Sequence, residues 1–326
     1  MPILTSDFSA LTDDLQEIFN EVAKTTLADL VGTRIFEVMD TDRRTFDHLI
    51  LHGMDVIRQV AQGADLPTAT IVQGDSITYT QARYGGIVGV TKDMRLFDLY
   101  DQIESIVRSA ADDAFHKIDQ SMADVLTNGF SASNYTDVYG TSVSATCPDS
   151  LALFSATHTT PINGNTFRNL IRYNGSNNPV LSREAIVQAR VDARNYQDPN
   201  AHNRPINLDT IVVSPTKEDE VMRIIESAQI SGSNENDVNP LKGKLKVVVW
   251  EKLTTRTGGT DTSAYWFMFD SRKVNETLKA KFAERPSLDA PEQVYKNKNW
   301  DYSIDFYYAL GRGFPAYVWG SNAAGV

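Results

Sequence analysis

The chain is poor in several things. Of its 326 residues one is cysteine, Cys147, which excludes a disulfide within the chain and a zinc site built on several thiolates. No apolar run approaches the roughly 20 residues of a membrane span. The opening stretch MPILTSDFSALTDDL lacks the basic and apolar regions of a secretory signal. Basic residues are outnumbered, 31 Lys and Arg against 42 Asp and Glu, for a formal net charge of −11. An acidic surface repels phosphates, so grip on nucleic acid through a basic face is disfavoured. There is no G-x-S-x-G elbow, no H-E-x-x-H and no G-x-x-x-x-G-K-[ST]. These absences remove the best-known signatures of hydrolases, zinc proteases and nucleotide-binding loops.

What is present is ordinary globular material, 41% hydrophobic and 22% charged, enough to bury a core. Phe8, Leu11, Leu15, Ile18, Phe19, Val22 and Leu27 recur at spacings of three and four and predict an amphipathic helix. Ser6 is its expected N-cap and Gly32 its stop. Residues 35–89 hold short apolar and alternating pieces divided by Gly53, Gly63, Pro67, Gly74 and Gly85-Gly86, a pattern of β-hairpins or extended loops.

Residues 90–128 contain neither Gly nor Pro. Leu96, Tyr100, Ile103, Val107, Ala110, Ala114, Ile118, Met122 and Val125 form one helical stripe, and Asn128-Gly129 ends it. A rod of about 45 Å follows from the 1.5 Å rise, longer than a usual globular helix. Residues 130–179 read as loop with short strands. Ser182 caps a helix whose apolar side is Ile186, Ala189, Ala193 and Tyr196. Residues 208–213 read as a buried strand, and Ser214-Pro215 as an N-cap with Pro at the first helical position. Val221, Met222, Ile224 and Ile225 form the apolar side of that helix, and residues 231–240 are a polar loop. Strands follow at 246–250 and 265–269. Trp300, Tyr302, Ile304, Phe306 and Tyr308 alternate with Asp301, Ser303 and Asp305, and a last strand is predicted at 316–319.

Candidate chemistry is sparse. Ser155 and His158 share the loop ALFSATHTTPINGNT. A nucleophilic serine needs a base, an orienting acid and an oxyanion hole, usually from separate elements, so a loop-ordering role is the plainer reading and a serine-type hydrolase the alternative. His48 and His52 are four apart, with no third ligand in the sequence nearby. TRTGGTD, residues 255–261, lacks the lysine of a phosphate cradle and reads as a β-turn. Asp112-Asp113 and Glu218-Asp219-Glu220 read as solvated helix faces, the latter also suiting a helix N-terminus. No catalytic, cofactor or metal residue is assigned, and surfaces rather than a site are expected to carry the function.

LFSATH, residues 153–158, resembles the L-F-S-x-x-H signature of major head proteins of tailed phages, particularly the Mu-like prophage major head subunit group. The resemblance continues in motif to about Ala228, and in order of elements over nearly the whole chain. It implies an α+β Hong Kong 97-like fold: N-terminal arm (1–34), extended β loop (35–90), peripheral domain with spine helix and inserted loop (91–202), axial domain (203–285) and a C-terminal return (286–326). The implied function is a structural, non-enzymatic subunit of an icosahedral head, self-assembling as hexamers and pentamers around double-stranded DNA. The implied location is the virion, with assembly in the host bacterial cytoplasm and no membrane. Implied partners are further copies, a portal, a decoration protein, and a separate scaffolding protein, because the arm-like helix starts within ten residues of Met1. No cofactor is implied. A tail or adhesin subunit is the structural alternative. The arm is expected to pack on the extended loop of its own or an adjacent subunit, so that its removal leaves a folded subunit. Some members of this fold cross-link a loop lysine to a neighbour's asparagine. Here residues 41–91 contain no lysine, only Arg43, Arg44, Arg58 and Arg83, and guanidinium stays protonated, so no such bond is expected.

Overall fold

A computed structural model of the chain describes residues 5–51, 59–60, 62–63, 65–66, 73–97, 100–159, 166–198, 202–229, 238–294, 296 and 298–325. The chain forms two compact units. One comprises Met1–Phe46, Tyr79–Met122 and Ala280–Leu310, and the other Asp47–Thr78, Ala123–Lys279 and Gly311–Val326. The principal elements in chain order are α1 (Thr5–Asp29), β1 (Glu37–Asp40), β2 (Thr45–Leu51), β3 (Gln73–Thr80), β4 (Ala82–Val90), α2 (Tyr100–Thr127), β5 (His158–Thr159), β6 (Thr166–Phe167), α3 (Arg183–Arg194), β7 (Thr210–Val213), α4 (Glu218–Glu226), β8 (Lys246–Val249), β9 (Trp266–Phe269), β10 (Leu278–Leu288), β11 (Trp300–Arg312) and β12 (Val318–Ser321).

In the first unit two members of the α1 stripe, Leu15 and Phe19, are fully enclosed, and Ile18, Val22 and Leu27 are half-buried. Phe19 meets Phe115 of α2 at 6.3 Å between ring centroids, Thr26 donates its hydroxyl to Asp112, and Gln16 donates to the Leu288 carbonyl. The arm therefore packs on the spine helix of its own subunit. Ser6 is no cap, because the helix is already formed at Thr5. Gly32 is no stop either. The helix ends at Asp29, and Gly32 opens a short second helix, Gly32–Ile35. Its glycine is needed for close approach: a Cβ there would lie 2.7 Å from Asp119 Oδ1 and from Met122 Sδ. With no side chain in the way, the Gly32 N–H donates to Asp119 at 2.8 Å.

The spine α2 starts later than its Gly- and Pro-free stretch suggested. Val90 is still strand, paired with Trp300. Thr91 then caps a separate short helix, Lys92–Leu96, by accepting the Met94 N–H. Leu96 is 62% exposed and lies outside the buried stripe. From Ile103 the stripe is buried at Ile103, Val107, Ala114, Ile118, Met122 and Val125, while at its middle Ala110 is half-buried and the neighbouring Ala111 is enclosed instead. At 28 residues α2 is about 42 Å long. The sheet of this unit runs β1-β10-β11 and then Glu292–Gln293, with β4 antiparallel to β11 from Val90↔Trp300 to Ala82↔Tyr308. The alternation of β11 appears as burial of Tyr302, Ile304, Phe306 and Tyr308, the period-2 consequence of the strand backbone.

In the second unit β8-β7-β9-β12 form a four-stranded sheet, parallel between β7 and β8 and antiparallel elsewhere. All residues of β7, β9 and β12 are buried, so these strands read as unbroken apolar runs because both faces are covered. Ile211, Val213, Trp266, Met268 and Trp319 pack with Ile186, Ala189 and Ala193 of α3 and Val221 and Ile225 of α4. Phe267, pointing the other way, stacks near Phe130 and Phe154. Ser182 caps α3 as its spacing predicts, accepting the Ala185 N–H at 3.2 Å. Ser214 does not cap α4. A 3₁₀ turn, Pro215–Lys217, intervenes, and the Ser214 hydroxyl donates to the Ser263 carbonyl instead. The last strand lies two residues later than predicted, because Pro315–Tyr317 form another 3₁₀ turn. The polar loop at 231–237 lies outside the described residues.

Candidate functional site

The LFSATH stretch is a packing knot of the second unit. Phe154 is 3% exposed and lies against Phe130 and Phe267 at 4.7 and 5.4 Å. Two glycines make room for it. A Cβ on Gly129 would approach its ring to 2.9 Å, and one on Gly320 to 2.8 Å. The Phe154 N–H donates to the Gly129 carbonyl just beyond the end of α2.

Asn169 holds the knot closed and is wholly buried. Its Nδ2 donates to the carbonyls of Leu153 at 2.6 Å, Pro315 at 2.9 Å and Val318 at 3.0 Å. Three acceptors fix the amide's orientation, so Oδ1 must be the atom that accepts the Ser155 N–H at 2.9 Å. His158, also wholly buried, lies with Nδ1 2.5 Å from Asp149 Oδ2. Its Nε2 faces Asn169 Oδ1 at 3.1 Å and the Leu153 carbonyl at 3.2 Å. The ring stacks on Phe167 at 5.1 Å.

This geometry decides what His158 can do. Both neighbours of Nε2 are acceptors, so Nε2 carries a hydrogen and offers no lone pair to a serine. A triad base needs that lone pair turned to the nucleophile's hydroxyl. Ser155 Oγ is engaged elsewhere, accepting the Thr157 N–H at 3.2 Å. The structure thus brings His158 together with an acid, but not with Ser155.

The other sequence candidates separate similarly. His52 lies outside the described residues, as does the side chain of His48. Among the described residues no cluster of His, Cys, Asp or Glu could hold a metal ion. TRTGGTD closes as a turn, with Thr255 bridged to Asp261 and positive φ at Gly258 and Gly259. Asp113 pairs with Lys117 on an exposed face, whereas Asp112 anchors the arm through Thr26. Asp219 and Glu220 pair with Arg223 and Lys217. Cys147 is buried, and its desolvation pushes the thiol up to about 12. No helix among the described residues is long and apolar enough to cross a membrane.

Surfaces remain. At the root of the β2–β3 excursion Gln81, 6% exposed, is a clamp. It donates from Nε2 to the Arg43 carbonyl and from its N–H to the Arg44 carbonyl, and accepts the Ala283 N–H. Arg83 is held by Asp305 of its own chain, through Nε and Nη2. Large apolar side chains stand exposed at Ile87 and Phe97 in the first unit and at Val180 and Val238 in the second; such groups mark contact surfaces where they cluster. Sequence reasoning missed Asn169 and Gln81. Their partners are as far as 149 and 202 residues away, and no local pattern marks such contacts.

The family model described as phage capsid protein matches residues 74–319. No curated protein matches the sequence. Among solved structures, the asymmetric unit of the bacteriophage PhiM1 mature capsid superposes with a TM-score of 0.52 at 10% identity, covering 89% of this chain and 86% of that one. The capsid of Cyanophage P-SCSP1u gives 0.51 at 10% identity, with 88% and 86% covered. The capsid of Myoviridae Phage XM1 gives 0.50 at 13% identity, with 87% and 88% covered.

Proposed function

The chain belongs to the phage capsid protein family, and from that premise we propose that it tiles an icosahedral head as hexamers and pentamers around double-stranded DNA. It is a structural subunit of a multi-subunit shell and resides in the virion capsid, with the α+β Hong Kong 97-like fold of phage major capsid proteins. The tail or adhesin alternative gives way to this membership. The observation that carries the proposal is the family match over residues 74–319. That His158 Nε2 bears a hydrogen directed at Asn169 and Leu153, and so is no base for Ser155, supports a role without catalysis.

The five-part division at residues 34, 90, 202 and 285 belongs to the proposal, as do assembly in the host bacterial cytoplasm, a separate scaffolding protein, a portal and a decoration protein. The net charge of −11 suits a wall that encloses DNA without gripping it, since few phosphates would be neutralised. Shell contacts are individually modest, each burying about 800 Å² per partner in typical cases, and closure multiplies them. Arg83 being committed to Asp305, the extended loop would hold a neighbour chiefly by burial and strand pairing, because exposed ion pairs contribute about 0–1 kcal/mol.

Image reconstruction of assembled particles tests the proposal. Fivefold and sixfold capsomers of one chain are expected; rings or helices of any other symmetry would refute it. Labelling by a serine-reactive phosphonate that disappears in Ser155→Ala would restore the hydrolase alternative.

A further inference from the structure

Beside the packing knot, β6, Arg172, the end of α3 and Trp319 enclose a cleft of about 460 Å³. Two arginines line it, and their charges are handled differently. Arg172 is neutralised: its Nε and Nη2 meet the two oxygens of Asp192 at 2.8 and 3.2 Å. Gln188 also donates to that carboxylate, at 2.8 Å, so Asp192 is fully engaged. Among the described residues no carboxylate forms an ion pair with Arg168. Its Nη2 donates to the neutral Asn177 Oδ1 at 3.2 Å, and its Nη1 is buried without any hydrogen-bond partner. Burial, followed by the like charge of Arg172, lowers the pKa of Arg168, against the attraction of Asp192. In the lone subunit this half-buried cation is thus partly desolvated, and its attraction to Asp192 is offset by Arg172, an arrangement that a further anion would stabilise. The lip of the cleft carries the exposed side-chain amides of Asn195 and Gln197, which can donate to the same anion.

We propose that the cleft at Arg168 receives a carboxylate side chain from a second copy of this chain during assembly. The inference rests on the shell reading given above. A carboxylate fits because its two oxygens match the guanidinium fork. A second copy fits because the chain carries 42 acidic against 31 basic residues, so nearly any approaching face of another subunit offers acids. A duplex is disfavoured as occupant: a side chain enters a concavity of this size, whereas a double helix meets the outer surface, which is acidic overall. Complementary charge of this kind fixes register between subunits and excludes misaligned contacts.

The test uses full-length protein and compares wild type with Arg168→Gln and Arg168→Lys. Assembly is followed by sedimentation without DNA, at 0.05 and 0.5 M salt, alongside the thermal midpoint of unassembled subunits. Arg168→Gln should leave that midpoint unchanged or raised, yet increase the subunit concentration needed for half-assembly at least tenfold at low salt. Shells of Arg168→Lys made from mixed ¹⁴N and ¹⁵N subunits should, after carbodiimide treatment, yield a mixed-isotope cross-link from position 168 to an Asp or Glu. If wild type assembles into tubes or discrete trimers in place of shells, the shell reading itself fails. If wild type forms shells and Arg168→Gln assembles at the same concentration, the cleft inference is overturned. It is equally overturned if assembly falls only in step with the midpoint, if the cross-link is confined to one chain or absent, or if shells form normally and only DNA retention changes.

Discussion

Asn169→Asp is the sharpest perturbation of the packing knot, because it alters one side of the residue and spares the other. Oδ1 survives and can still accept from Ser155 and His158. Nδ2, which donates to three carbonyls between 2.6 and 3.0 Å, becomes an oxygen facing three oxygens with no access to solvent. The amide's two hydrogens are shared among the three carbonyls, so the loss is about two bonds at about 0.5–1.5 kcal/mol each, or about 1–3 kcal/mol, a sizeable part of a typical stability of about 5–15 kcal/mol. The new carboxyl relieves the conflict by taking a proton, so its pKa is raised in the folded state above the unfolded value of about 3.9. A group raised on folding contributes stability that is full below the unfolded value and is lost as pH rises through the folded one. The variant should therefore come closest to wild type near pH 4 and fall furthest behind near pH 7. Denaturant unfolding of unassembled subunits at both pH values measures this. A variant within about 1 kcal/mol of wild type at pH 7, or equally impaired at both, would refute the reasoning.

Other consequences are as direct. Gly32→Ala should lose about 1–3 kcal/mol by overpacking against Asp119 and Met122, while Gly86→Ala, with nothing within 4 Å of its new Cβ, should stay within about 0.5 kcal/mol; paired thermal melts decide it. Wild-type stability should decline as pH rises from 9 towards about 12, because the unfolded Cys147 thiol ionises before the buried one, and Cys147→Ala should flatten that alkaline limb. Mature particles boiled in detergent should release one band near 36.2 kDa, since residues 41–91 offer no lysine; a ladder that survives reductant and maps to this segment would contradict the expectation.

Much of this molecule could be read from local pattern. The stripe of α1, the stripe of α2 beyond Ile103 and the alternation of β11 each repeat one simple rule many times, so accidental matches average out. The boundaries were less legible because they depend on single contacts. Leu96 fits the helical stripe in sequence, but Thr91 caps a separate turn there. Gly32 looked like a stop because glycine often is one, whereas its actual constraint is Met122 and Asp119, at least 87 residues away. The packing knot was half visible. His158 and Ser155 stood out in the sequence as reactive side chains, while Asn169, which orders the loop and fixes the hydrogen on His158 Nε2, sits in an unremarkable RNL tripeptide. The Arg168 cleft had no sequence signal, since only the fold shows that Asp192 is taken by Arg172.

The most direct measurement is electron microscopy of the purified chain, concentrated until it assembles. Closed shells of uniform diameter, built from this one chain, are predicted. Open tubes or discrete trimers would contradict the account.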